Sequence, residues 1–166
     1  TLPQDSPNLR MLAATVNERQ REAYLAPYVR GETISAIGIS EPGAGADPAG
    51  MITKAVRDGE DWIIDGRKIW TSRAAEADFT IVMAVTDREK GARGGMSAFL
   101  VDGDNPGFKV LRKIPMIGGA TTYEVALEDC RVPGWKLLGT EGQVFAPMQE
   151  RLGTRRMEMA AWCIAL

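Results

Sequence analysis

Histidine is missing from this sequence, and its absence removes a whole group of catalytic mechanisms. None of the 166 residues carries an imidazole. Ser-His-Asp and Cys-His catalysis, HExxH metal sites and imidazole acid–base chemistry all require that side chain. Any chemistry at this chain therefore needs a cofactor, carboxylates or residues supplied from elsewhere.

Cysteine, net charge and long apolar runs are also scarce. Cys130 and Cys163 stand far apart without a CxxC pair, which argues against a metal site or a disulfide framework. This usage suits a reducing compartment, and we expect a cytoplasmic protein. A formal net charge of −2 gives no reason to expect nucleic acid as a partner. The longest aliphatic run, IVMAV at 81–85, is too short for a membrane span, and the first residues lack the pattern of a signal peptide.

The middle of the chain has the pattern of a β protein. Short segments rich in β-branched and aromatic residues follow one another, and turn sequences such as RDGED, DGR and GDNPG separate most of them. Closely spaced strands without intervening helices predict an antiparallel sandwich or barrel. The eight predicted strands are ISAIGIS, MITKAVR, DWIID, KIWTS, DFTIVMAV, GMSAFLV, FKVLRKI and TTYEVALE.

Both ends of the chain have helical patterns. Asn17 followed by Gln20 resembles a capping box that begins a helix, and Pro27 is expected to end that helix. Thr140 and Gln143 form a second such pattern before a long amphipathic segment. That segment is still apolar at its end and has no C-cap, so we expect the helix to continue in a longer protein.

The stretch GISEPGAGADP, at 38–48, is the most unusual local sequence. Gly43 and Gly45 form GxG, but Pro48 stands where a dinucleotide-binding GxGxxG needs its third glycine. No GK[ST] follows, which excludes a phosphate-binding P-loop. Two interpretations stay open: a tight turn that uses glycine at positive φ, or a loop whose backbone lies against a ligand.

Taken with the segments around it, this loop resembles that of the acyl-CoA dehydrogenase family of flavoproteins. The resemblance covers nearly the whole chain and rests on motifs in a matching order: YLAPYVRGE, ISEPGAGAD, DGRKIWTS, FLVDGDNPGFKV and VALEDCRVPGWKLLG. It implies a mainly β fold, with an antiparallel β-barrel between two helical domains. The corresponding limits are 1–32 for the end of the N-terminal helical domain, 33–136 for the barrel and 137–166 for the start of the C-terminal helical domain.

The resemblance also implies an FAD site on one wall of the barrel. Ile37, Ile39 and Ser40 would line the flavin, and the Ser40 hydroxyl or nearby amides would bond its pyrimidine edge. Trp70 would cover the isoalloxazine ring, and Ser72 would approach N5, the atom that accepts hydride. Without the resemblance, Ser40 is most simply a turn residue and Trp70 a core residue.

The expected site for the acyl-CoA thioester departs from the family pattern. Gly45 and Ala46 would lie beside the cofactor and the pantetheine arm, but the family commonly has Ser at the position of Ala46. A second hydroxyl that commonly helps to hold the ester is absent near Ala120, and Thr121 and Thr122 are close enough to substitute for it. The general base of the family is a Glu that would lie beyond the end of this chain, so we assign no catalytic residue here.

The function implied is α,β-dehydrogenation of an acyl-CoA, with hydride transfer to flavin N5. Electrons would leave through an electron-transfer flavoprotein, and the parent protein is expected to be a dimer or tetramer. Two alternatives stay open. One is a flavin monooxygenase or nitroalkane oxidase on the same scaffold. The other is a non-catalytic barrel that binds a ligand or partner, for which the two alanine departures are the support.

Overall fold

Helices lie at both ends of a large sheet in the computed structural model, which describes residues 6–45, 47–117 and 121–165. The helical elements are α1 (Ser6–Thr15), α2 (Glu18–Gln20), a π-helical turn (Arg21–Leu25), α3 (Ala26–Val29), a short α4 (Gly91–Gly94), α5 (Phe145–Ala165) and two 3-10 turns (Pro48–Gly50 and Gly134–Lys136). The strands are β1 (Ser35–Gly38), β2 (Lys54–Asp58), β3 (Asp61–Ser72), β4 (Phe79–Val85), β5 (Met96–Asp102), β6 (Phe108–Pro115), β7 (Thr121–Pro133) and β8 (Leu137–Leu138).

The eight strands form one mixed sheet. Their order is β6-β7-β3-β2-β4-β5-β8, and β1 pairs with β4 beside this path. The mainly β fold with helices at its ends is confirmed. Strand β1 departs from the antiparallel pattern, because it runs parallel to β4 from Ser35 opposite Phe79 to Gly38 opposite Val82. The segment between β1 and β2 carries the chain back along the sheet before β2 begins. Strands β1, β2 and β4 therefore run in the same direction.

The segments DWIID and KIWTS belong to a single strand, so the turn predicted at DGR is wrong. Strand β3 is continuous, and its pairing with β7 shifts register between Ile64 and Gly66. Gly66 has φ 154°, and a Cβ at this position would lie 2.4 Å from Thr53 Oγ1. Glycine therefore lets the strand pass Thr53 without a break.

The N-terminal helices confirm one expectation and correct another. Asn17 Oδ1 accepts the Gln20 amide at 2.9 Å, and Gln20 Oε1 accepts the Asn17 amide at 3.1 Å, which completes the predicted capping box. Pro27 does not stop the helix, which continues to Val29. The π-helical turn ends just before Ala26 and places Pro27 in the first turn of α3, where a missing N–H is tolerated.

We expect Asn17→Ala to lower the free energy of unfolding by about 1 kcal/mol, because the cap of α2 is lost. The cap matters beyond its own turn, since Gln20 Nε2 also donates to the carbonyls of Trp135 and Leu137, each at 2.7 Å. Urea denaturation measures the effect, and Asn17→Asp, which keeps the acceptor, is the control. Equal destabilisation by both substitutions would contradict this role for the cap.

The second predicted capping box is wrong. The Gln143 amide donates to the Thr140 carbonyl in a turn, and α5 begins only at Phe145. Pro147 lies in the first turn of α5, where the helix does not need its N–H. None of the described helices is both long enough and apolar enough to cross a membrane.

Strands β4 and β5 are buried on both faces and separate two cores. Successive side chains of a strand point to opposite faces, so alternate residues enter different cores. The helix-side core, facing the terminal helices, includes Met11, Leu12, Leu25, Phe79, Ile81, Met83, Ala98, Leu100 and Met148. The sheet-side core, facing β3 and β7, includes Trp62, Ile64, Val82, Ala84, Phe99, Val101, Val125 and Leu127. This double burial explains the nearly continuous apolar runs FTIVMAV and MSAFLV, in which Thr80 and Ser97 are the polar residues.

Candidate functional site

The predicted flavin loop meets the end of β3 directly. Ile39 and Ser40 follow β1 and are both half-buried. The Ile69 amide donates to the Ser40 carbonyl at 2.9 Å, and Lys68 Nζ donates to the Ile39 carbonyl at 3.2 Å. Two consecutive carbonyls of the loop are thus bonded by two consecutive residues of β3, and the next residue of β3 is Trp70.

Lys68 forms a buried ion pair with Glu41 beneath this junction. Their side chains are 0% and 2% exposed, and Nζ lies 2.8 Å from Glu41 Oε1. Glu41 also accepts two backbone amides, from Ile52 at 2.7 Å and from Thr53 at 2.9 Å. The Glu41 carboxylate therefore accepts hydrogen bonds from the backbone just before β2, which is a different segment from its own turn. Gly38 lies against the stem of Lys68, where a Cβ would be 3.0 Å from Cγ.

The surroundings keep this pair charged at neutral pH. Burial lowers the pKa of Lys68 to about 8, against an opposing effect from Glu41, so the ammonium is still protonated at pH 7. Burial alone would raise the pKa of Glu41, but Lys68 and the two backbone amides outweigh it, so its pKa is lowered. The two charges thus hold the loop, the segment before β2 and the end of β3 together.

We expect this pair to make stability fall on acidification. The pKa of Glu41 is lower in the folded state than its ordinary value of 4.5, so the unfolded chain takes up a proton first. The stabilisation is complete above that ordinary value and is lost as the pH falls through the folded pKa. Urea denaturation between about pH 6 and pH 3.5 should show a steeper loss for the wild type than for Glu41→Gln/Lys68→Met. Identical slopes would contradict it.

Trp70 has a strained backbone and an exposed side chain. Its φ is 63°, in the left-handed region that bulky residues rarely adopt. Pairing with β7 shifts register here, since Lys68 opposes Val125 and Thr71 opposes Tyr123, which leaves one extra residue in β3. Such a bulge re-aims a side chain, and that of Trp70 is 57% exposed. The expectation of a core tryptophan is therefore excluded. Strain of this kind costs about 1–3 kcal/mol and is concentrated at functional sites.

The Ser40 and Ser72 hydroxyl groups, which are predicted to face a ligand, are free to bond one. Within the described residues, the amide and hydroxyl of Ser40 and the hydroxyl of Ser72 make no hydrogen bond. Ser72 is exposed, and Ile37 and Ile39 pack partly against the helix-side core. The structure thus brings Ile39 and Ser40 next to the Trp70 segment, with Ser72 two residues further along β3.

Neither the backbone conformation nor the packing of the described residues requires glycine at position 45. Gly45 is exposed, it is absent from the positive-φ glycines, and a Cβ built on it would meet no described atom within 4 Å. No hydrogen bond of the described residues joins it to Trp70. Ala46 and Ala120, the other predicted contacts of the thioester, lie outside the described residues.

Lys68 is the residue that the sequence interpretation missed. The pattern contained a usable signal, because Trp62, Ile64 and Lys68 all occupy even positions of β3 and all point inward. Dividing β3 into two strands at DGR hid this alternation. A lysine on the buried face needs a charged partner, and the fold supplies Glu41.

Comparison with known proteins gives a consistent family likeness. The family model described as acyl-CoA dehydrogenase, middle domain, matches residues 36–130. (R)-Benzylsuccinyl-CoA dehydrogenase of Thauera aromatica is 42% identical over 167 residues, which is 100% of this chain and 41% of that protein. Mitochondrial isovaleryl-CoA dehydrogenase of Pongo abelii is 35% identical over 161 residues, 95% of this chain and 38% of that protein. The chain thus spans about two fifths of the length of these relatives.

Solved structures show the same likeness. Butyryl-CoA dehydrogenase from Megasphaera elsdenii superposes with a TM-score of 0.83 at 33% identity, over 87% of this chain and 38% of that one. PigA in complex with FAD superposes with a TM-score of 0.81 at 29% identity, over 86% of this chain and 38% of that one. The region matched by the family model contains both the loop at Ser40 and the bulge at Trp70.

Proposed function

We propose, since this chain belongs to the acyl-CoA dehydrogenase family, that the whole protein is an FAD-dependent enzyme acting on an acyl-CoA thioester. The reaction removes two hydrogens across the α,β bond and leaves a 2-enoyl-CoA. The observation that supports this most strongly is Trp70, which is held exposed in a strained bulge one residue from the amide that binds Ser40.

The residues around Trp70 suit a flavin. When bound, FAD supplies the acceptor for the hydride that leaves the acyl chain. The exposed indole of Trp70 offers an apolar cover for a planar ring, and Ile37 and Ile39 offer an apolar lining. The free amide and hydroxyl of Ser40, with the hydroxyl of Ser72, offer hydrogen bonds to polar ring atoms. Preorganised donors of this kind stabilise the negative charge that develops on reduction.

The thioester would lie beside Gly45, where the chain is open and a side chain would narrow the path. In this proposal Ala46 and Ala120 contact the substrate through backbone and methyl groups only. The half-buried Thr121 supplies a missing hydroxyl, whereas Thr122 is 1% exposed and its hydroxyl faces the interior. The substrate class is an acyl-CoA, and the relative from Thauera aromatica makes an aryl-substituted succinyl thioester a natural member of a test panel.

Partners and location are further parts of the proposal. An electron-transfer flavoprotein is the expected electron acceptor, and the whole protein is expected to be a homo-oligomer. Sparse, unpaired cysteines fit a reducing compartment such as the cytoplasm. The domain limits of 1–32, 33–136 and 137–166 belong to the same proposal.

A direct experiment tests the function. The full-length protein should purify with a flavin absorbance spectrum, and an acyl-CoA from a panel of straight, branched and aryl-substituted esters should bleach it without oxygen. Oxygen-dependent turnover of a nitroalkane would instead identify an oxidase on the same scaffold. A colourless protein that takes up no added FAD would identify a non-catalytic module.

Trp70→Gly is expected to stabilise the apoprotein while weakening FAD binding about tenfold. Glycine adopts positive φ freely, so the substitution relieves backbone strain of about 1 kcal/mol or more. It also removes the indole, and aromatic ring pairs contribute about 0.5–1.5 kcal/mol beyond burial of their surface. Thermal unfolding of the full-length apoprotein and fluorescence titration with FAD measure the two effects.

The control is another tryptophan of similar exposure. Trp162 on α5 is 54% exposed, and Trp162→Ala should leave the FAD dissociation constant unchanged. Trp70→Ala should weaken FAD as Trp70→Gly does, without the gain in stability. FAD binding that survives both substitutions of Trp70 would exclude it as the cover of the ring.

A further inference from the structure

The Glu41–Lys68 pair is the only ion pair of the described residues in which both side chains are almost completely buried. Among the ion pairs given for the described part of the chain, every other one has at least one partner that is more than a tenth exposed, and most are surface pairs. Removing two charges from water is costly, and an apolar pair of similar volume is often as stable or more stable. Stability alone therefore gives no reason for an ion pair at this position.

The position of the pair suggests another reason. The pair joins three segments of the chain. Lys68, which belongs to β3, donates to the Ile39 carbonyl of the loop, and Glu41 accepts the amides of Ile52 and Thr53 before β2. Lys68 Nζ donates to the Ile39 carbonyl, and the Ile69 amide donates to the Ser40 carbonyl. Both of these carbonyls of the loop therefore point toward β3. The Ser40 amide and hydroxyl are thereby left without partners among the described residues.

We propose that the Glu41–Lys68 pair is a positioning device for the flavin, which fixes the loop at Ile39–Ser40 so that its free donors face the cofactor. This inference rests on the proposed function. Neither charged group contacts the cofactor in this proposal, and both act through the main chain. Two apolar side chains could fill the same space, but they could not orient the Ile39 carbonyl and the two amides before β2 at once.

Three variants of the full-length protein test it. Lys68→Met breaks the pair and leaves the Glu41 carboxylate buried without its counter-ion. Glu41→Gln/Lys68→Met removes both charges and should recover most of the lost stability. Phe99→Leu, in the sheet-side core away from the loop, is a control that lowers stability without touching the pair. For each, thermal unfolding of the apoprotein, the FAD dissociation constant and the visible circular dichroism of the bound flavin are measured.

The Glu41→Gln/Lys68→Met variant distinguishes positioning of the loop from general stability. We expect FAD binding roughly ten- to a hundredfold weaker and an altered visible circular dichroism in both Lys68 variants, as when supporting residues around a bound group are lost. The double variant should keep these defects although it regains stability, and Phe99→Leu should show neither. A double variant with wild-type FAD affinity and spectrum, or a Phe99→Leu variant with the same defects, would overturn the inference. A wild type that binds no FAD would instead overturn the proposed function on which it rests.

Discussion

Glu41→Gln is expected to lower the free energy of unfolding by about 3–5 kcal/mol, the usual cost of breaking a buried ion pair from one side. The substitution keeps the shape of the side chain but leaves the Lys68 ammonium buried without its counter-ion. It also exchanges one carboxylate oxygen that accepts a backbone amide for an NH₂ group, which cannot accept. Urea denaturation of the full-length apoprotein measures the loss.

A surface pair of the same charge types provides the control. Arg30 and Glu32 lie 2.7 Å apart, but both side chains are more than half exposed. Glu32→Gln should leave the stability unchanged within error, because water and salt screen such pairs. Equal stability of the two glutamine variants would mean that burial of the Glu41–Lys68 pair has no energetic consequence, contrary to this expectation.

Trp62→Ala is expected to lower the stability by about 3–5 kcal/mol, which is the range for truncating a buried tryptophan. Trp62 is 2% exposed, and its ring meets that of Phe99 edge-on at a centroid distance of 5.3 Å. The guanidinium of Arg57 lies 4.5 Å from the centre of the same ring. Removing the indole leaves a cavity between β3 and β5. Calorimetry of the apoprotein should show a melting temperature clearly below that of the wild type.

Trp62→Phe separates packing from polarity at the same position. The Trp62 Nε1–H is buried without a hydrogen-bond partner among the described residues, so phenylalanine removes an unsatisfied donor as well as part of the ring. We expect a loss well below that of Trp62→Ala. A phenylalanine variant as unstable as the alanine variant would show that the cavity is not what destabilises the protein.

Local patterns were sufficient for much of the fold. The capping box at Asn17 needs only residues three apart, and it forms as predicted. Segments rich in β-branched and aromatic residues predicted strands at β4 and β5, and both form, whereas their burial between two cores emerges only from the structure. Proline was less predictable: the rule that it ends a helix failed at Pro27, since a π-helical turn upstream changed the hydrogen bonding on which that rule depends.

The candidate site was predicted only in part. Order and spacing of the motifs indicated that Ser40 and Trp70 belong to one site, and the structure places their segments in direct hydrogen-bond contact. Whether these residues hold a flavin stays a prediction. The turn expected at DGR hid the alternation along β3, and with it the inward direction of Lys68.

Residue type and near neighbours were enough to predict most of the strand and helix segments and the family likeness, and the lack of histidine can be read from the sequence directly. Three features depend on contacts across the fold: β1 lies parallel to β4, Lys68 meets Glu41, and Trp70 takes a left-handed conformation. One cause applies to all three. A register, a buried charge pair and a bulge are each stabilised by groups far away in the chain, and no local preference favours them.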